Sequence, residues 1–93
     1  MTQQTRLEAI VKGRVQGVGF RYHVSHRARH MGVTGFVRNL WDGSVEVVAE
    51  GDKMLVEQFL SYLQVGPRSA WVRDIATNWQ PASGKFDSFE VRF

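Results

Sequence analysis

Within seven residues, Val15-Gln16-Gly17-Val18-Gly19-Phe20-Arg21, the chain collects backbone freedom, a helix start and a fixed positive charge. Gly17 and Gly19 open the backbone to conformations that a side chain disfavours. A turn of that kind aims successive N–H groups into one concavity, a nest for an anion. A helix starting at Phe20 adds its own unpaired N–H groups and the positive end of its dipole. Arg21 adds a permanently charged, forked guanidinium beside them. The chemistry that these residues suit is the holding of a phosphate. A lone G-x-G is a weak motif, however, and the same glycines also serve as a plain turn between two elements. Further along, Asn39 closes a strand-like run and carries an amide with one acceptor and two donors, suited to orienting a water.

Elements to position these residues follow from the hydrophobic period. Leu7, Ala9, Val11, Gly13 and Val15 alternate with Arg6, Glu8, Ile10, Lys12 and Arg14, the pattern of a strand buried on one face. Phe20, Val24, Ala28 and Met31 recur at helical spacing, which predicts a helix from about Phe20 to Met31, ended by Gly32. A second strand spans Gly35 to Leu40. Asp42-Gly43 makes a hairpin turn into a third, in which Val45, Val47 and Ala49 alternate with Glu46, Val48 and Glu50. Asp52 is placed to cap a second helix with a stripe of Val56, Phe59, Leu60 and Leu63, stopped by Gly66-Pro67. A fourth, irregular strand runs from Trp71 to Trp79, and Gln80 to Lys85 reads as a loop. Phe89, Val91 and Phe93 mark a terminal strand.

This order, β-α-β-β-α-β plus a last strand, predicts an α+β, ferredoxin-like split βαβ sandwich. The expected sheet is antiparallel, of four to five strands, with two helices on one face. In that topology the first and second strands run parallel with the third between them. The glycine loop and Asn39 then meet at one sheet edge, which makes Asn39 a candidate partner for Arg21. The place of the last strand is left open by the pattern.

Composition sets the outer bounds. A chain of 93 residues suits one domain, read here as residues 6–93 behind a polar, frayed tail of residues 1–5. Without cysteine there is no disulfide, thiolate nucleophile or Cys-based metal site. No apolar run is long enough to span a membrane, and nothing resembles a signal peptide. The reading is therefore a cytoplasmic protein with no membrane partner, and nothing demands more than a monomer. A formal charge of +3 and a pI near 9.8 favour anionic partners without separating a phosphate ester from a nucleic acid.

Two segments together resemble the acylphosphatase family. One is Val11-Lys12-Gly13-Arg14-Val15-Gln16-Gly17-Val18-Gly19-Phe20-Arg21. The other is Gly35-Phe36-Val37-Arg38-Asn39, continued by Gly43, Val45 and Gly51, with Phe36 where the family accepts any large aromatic. The resemblance covers nearly the whole chain. It implies hydrolysis of small acyl phosphates, mixed anhydrides of a carboxylic and a phosphoric acid, with no cofactor and no metal. By the same resemblance Gln16, Gly17, Val18, Gly19 and Phe20 hold the phosphate oxygens through backbone amides. Arg21 binds the phosphoryl group, and Asn39 orients the attacking water. Its amide is too weak a base to deprotonate that water in the ground state, so its part is positioning.

The alternative reading is a non-catalytic module of the same fold that binds an anion or a nucleic acid. RNA-recognition domains share the element order but set stacking aromatics on the open face of the first and third strands. Here that face offers Glu8, Ile10 and Lys12, with Glu46 and Glu50 opposite, and two carboxylates there repel a phosphate backbone. No nucleic-acid partner is expected. A detached relative of the similar domain in larger carbamoyl-handling maturation proteins is a further alternative, disfavoured by the short chain. His23, His26 and His30 lie along one side of the first helix without a supporting carboxylate, a poor metal set. His23 is expected to be hydrogen-bonded within the fold. Ser25, His23 and Asp42 compose a triad only on paper, with no nucleophile-elbow motif. Lys12, Arg14, Arg38 and Arg73 read as surface charges that add positive potential. Among Trp41, Trp71 and Trp79, some are expected to cap the core edge, and Trp41 to border the acyl side of a pocket.

Overall fold

β1 (Gln4–Arg14) is the strand on which the sheet is built. In a computed structural model that describes residues 3–93, it pairs antiparallel with β3 (Val45–Asp52) on one side and β4 (Trp71–Pro81) on the other. β3 in turn pairs antiparallel with β2 (Thr34–Asn39). β1 and β2 are therefore parallel, and their C-terminal ends share one sheet edge, as the element order requires. The helices α1 (Phe20–Met31) and α2 (Lys53–Val65) pack on one face. Leu7, Ala9 and Val11 of β1 meet Val24 and Ala28 of α1 and Phe59 and Leu63 of α2 in one buried core. Each fully buried Leu, Val or Phe contributes about 1.5–3 kcal/mol relative to exposure. Asp52 caps α2 as expected, its Oδ1 accepting the Met54 N–H at 3.1 Å. Among the described residues no helix is long and apolar enough to cross a membrane.

The sheet order is β4-β1-β3-β2-β5, with β5 (Phe89–Arg92) parallel to β2. The sheet is therefore mixed, and the antiparallel expectation holds for its first four strands only. β4 and β5 lie at opposite edges, so the chain between them crosses the open face of the sheet. Burial of Phe89 under the helices, 5.9 Å from the Phe59 ring centroid, anchors β5 at the far edge.

Two further differences have simple causes. The frayed tail expected over residues 1–5 does not extend to Gln4 and Thr5, which already belong to β1, while Met1 and Thr2 lie outside the described residues. Thr5 is buried and paired on both sides, and its Oγ1 donates to the Gln80 carbonyl at 3.1 Å. Polarity alone reads as fraying, but here the hydroxyl has a partner. β4 is irregular because it carries a bulge: Lys12 faces Asp74 and Gly13 faces Val72, which leaves Arg73 as the extra residue. That shift brings Val72 and Ile75, three apart, against the same core. β4 also continues through Gln80 and Pro81, which read as loop.

Glu50 shows how the crossing segment is held. It is buried and lies opposite Arg6, with 3.1 Å from Glu50 Oε2 to the guanidinium. The same carboxylate accepts the Ser83 N–H at 3.0 Å, the Ser83 hydroxyl at 2.8 Å and the Gly84 N–H at 3.0 Å. Burial pushes its pKa up, but the hydrogen bonds from Ser83, Gly84 and Arg6 outweigh it, and the net direction is downward. A lowered folded pKa contributes stability that is full above the unfolded value, about 4.3, and is lost as pH falls through the folded one. Glu50→Gln is expected to cost about 1–3 kcal/mol at neutral pH by leaving donors short of acceptors. Chemical denaturation from pH 7 down to pH 3 checks this: the gap between variant and wild type should close with acidification.

Candidate active site

The loop between β1 and α1 is shaped by two left-handed glycines. Gly17 (φ 73°) and Gly19 (φ 77°) both sit in the left-handed region, where any residue with a Cβ pays about 1–2 kcal/mol. Gly19 is the N-cap residue of α1, with no side-chain capping bond and no acidic residue in the first turn. The first N–H groups of the helix thus carry no internal cap that would compete with an anion. On the opposite side of the loop, the Ser69 hydroxyl donates to the Val18 carbonyl at 2.7 Å and fixes its path.

Asn39 ends β2, at the edge where β1 runs into this loop. Gln16 joins the two places physically: its Nε2 donates to the Leu40 carbonyl at 2.7 Å and to the Ser44 carbonyl at 2.8 Å. The first residue of the cradle is therefore stitched to the residue following Asn39. Asn39 Oδ1 is buried and accepts no hydrogen bond from the described residues.

Arg21 lies in the first turn of α1, directly after the cradle. Its Nη1 donates to the Arg92 carbonyl at 3.0 Å, and its Cζ lies 4.6 Å from the Phe93 ring centroid. The structure thus gathers Gln16 to Arg21 with Asn39 at one sheet edge. Contacts from Gln16, Ser69 and the end of β5 support them.

The acylphosphatase family model matches residues 7–91, nearly the whole chain. The chain belongs to the acylphosphatase family. An acylphosphatase of Vibrio parahaemolyticus is 49% identical over 78 residues, 81% of this chain and 87% of that protein. One of Dehalococcoides mccartyi is 45% identical over 87 residues, covering 92% and 96%. The crystal structure of acylphosphatase from Bacillus subtilis superposes with a TM-score of 0.91 at 34% identity, over 96% of this chain and 99% of that one. These likenesses support the enzymatic activity of the family, and the non-catalytic anion- or nucleic-acid-binding module is not favoured.

Other groups around the candidate site sort by their contacts. Lys12, Arg14 and Arg73 line an open groove with Trp71, Asp42 and Ser44, next to the turn that Gln16 holds. Asp42 accepts the Ser44 hydroxyl and the Ser44 N–H, and these bonds, followed by the Lys12 charge, hold its carboxyl below the usual range. It is a turn-shaping residue. Ser25 is buried with its hydroxyl on the Tyr22 carbonyl at 3.0 Å, so the paper triad has no geometry. His23 is not held inside the fold: it is exposed, edge-on to Tyr22 at 5.4 Å, while His26 stacks on the same ring at 6.1 Å. Among the described residues no three His, Asp or Glu side chains are grouped to hold a metal. Glu46 and Glu50 face Arg38 and Arg6 as cross-strand ion pairs, so neither is the free repelling charge that the strand pattern suggests. Trp41 stands 98% exposed at the hairpin tip, and Trp71 and Trp79 are exposed on β4, so none of the three caps the core.

Proposed function

We propose that the cradle Gln16-Gly17-Val18-Gly19-Phe20 and Arg21 bind the phosphoryl group of a small acyl phosphate while Asn39 aims the attacking water. The observation that carries this reading is the uncapped start of α1 after two left-handed glycines, joined through the Gln16 side chain to the residue that follows Asn39. A water bonded to the Asn39 amide is held with a lone pair free for phosphorus. In-line attack forms one P–O bond as the bond to the acyl oxygen breaks, and the products are phosphate and a carboxylate. The carboxylate is a good leaving group and needs little acid catalysis. A phosphate oxygen of the substrate takes the proton from water. Backbone N–H groups and the Arg21 guanidinium meet the charge on the equatorial oxygens.

In this reading no metal or cofactor takes part. Hydrolysis of acetyl phosphate is expected to persist unchanged in excess chelator, measured as carboxylate or phosphate release. Turnover abolished by chelator and restored by a divalent cation would overturn the reading. The partner is the small substrate rather than a nucleic acid or a membrane, and the protein works as a cytoplasmic monomer. Absence of cysteine and of a membrane-spanning helix among the described residues supports that setting.

A further inference from the structure

Val18 lies between the two left-handed glycines of the loop and does not share their hand. Hand that alternates along a chain turns successive N–H groups toward one concavity. The Val18 carbonyl accepts from the Ser69 hydroxyl at 2.7 Å. The peptide unit that joins Val18 to Gly19 is trans, and in a planar trans unit the C=O and the N–H point in opposite directions. Drawing the carbonyl toward Ser69 therefore turns the Gly19 N–H to the far side of the loop. That N–H donates to no group among the described residues. Gly19 is also the N-cap of α1, so this free donor stands beside the uncapped helix start.

The turn that carries Ser69, between α2 and β4, is itself held in place. Gly66 ends α2 in a left-handed conformation (φ 74°), and its N–H donates to the Tyr62 carbonyl at 2.7 Å. A Cβ at Gly66 would come within 2.9 Å of Val72 and 3.8 Å of the Phe20 ring, so the turn packs against the first residue of α1. Pro67 fixes one backbone angle, and its carbonyl accepts the Ala70 N–H at 3.0 Å, which closes the turn. Ser69 is exposed, so burial gives no reason for its hydroxyl to be paired with protein.

We infer that Ser69 is a positioning residue for the phosphate cradle: by holding the Val18 carbonyl outward, its hydroxyl aims the Gly19 N–H at the phosphoryl group. The inference rests on the loop as the phosphoryl-binding site. Without the hydroxyl, the peptide unit is free to rotate and the anion has to order it on binding, a loss of preorganisation. One neutral hydrogen bond is worth roughly a two- to tenfold change in an equilibrium constant.

The test compares wild type, Ser69→Ala and Ser69→Thr. Inorganic phosphate is titrated into isotope-labelled protein while the Gly19 amide resonance is followed, and KM, kcat on acetyl phosphate and the thermal midpoint are measured on the same preparations. Phosphate is expected to move the Gly19 amide in wild type. Ser69→Ala should weaken phosphate roughly two- to tenfold, diminish the Gly19 response and lower kcat, because the same N–H meets charge that grows in the transition state. Ser69→Thr, which keeps the hydroxyl, should behave like wild type. A lowered thermal midpoint in Ser69→Ala with unchanged phosphate affinity, or equal weakening by Ala and Thr, overturns the inference. If phosphate moves no loop amide in wild type, the failure lies instead with the cradle reading on which the inference rests.

Discussion

Arg21→Ala is expected to lose about 10²–10³ in turnover, the usual cost of removing one preorganised donor from a charge-stabilising site, and to weaken inorganic phosphate as well. Both losses follow from its position. The guanidinium is the first fixed full charge after the cradle, and its contacts with Arg92 and Phe93 leave one edge open. Its charge holds the substrate and acts more strongly on the transition state, so KM rises and kcat falls. The fold should barely notice, because Arg21 is only partly buried and forms no ion pair with Asp or Glu among the described residues. Arg21→Lys should rescue little, since a point charge cannot reproduce the planar fork. Steady-state kinetics and a thermal melt on the same preparations check all three statements.

Asn39→Ala is expected to separate turnover from both binding and stability. Loss of the group that aims the water should cost about 10²–10³ in kcat, while phosphate, held by backbone N–H groups and Arg21, binds as before. The stability side should be small, because Asn39 Oδ1 accepts no hydrogen bond from the described residues and its removal breaks none within the protein at that atom. The melting temperature should stay level. A structural asparagine would behave otherwise, lowering the melting temperature when truncated.

These two residues were legible in the chain because each stands in a local signature, and the element order sends both signatures to one sheet edge. The supports were not legible. The glycine loop marks Gln16 for its backbone amide, yet its side chain ties Leu40 and Ser44 across the sheet edge, 24 and 28 residues away. Ser69 reaches Val18 over 51 residues from a turn whose sequence shows no functional pattern. The last strand defeated the period because parallel pairing to β2 depends on the Phe89 anchor and on a crossing held by Glu50. Arg73 made β4 look irregular, and a bulge is the reason, since one extra residue reverses the alternation that sequence reading relies on. His23 failed in the other direction: a histidine near a buried stripe reads as tied down, but the helix turns it outward.

The central claim is a division of labour, with phosphate held by the cradle and Arg21 and water aimed by Asn39. Inhibition of acetyl phosphate hydrolysis by inorganic phosphate, measured in Asn39→Ala beside wild type, tests it most directly. The account predicts an inhibition constant equal to that of wild type on an enzyme whose kcat has fallen by about 10²–10³. A kcat close to wild type, or an inhibition constant raised as far as in Arg21→Ala, would contradict it.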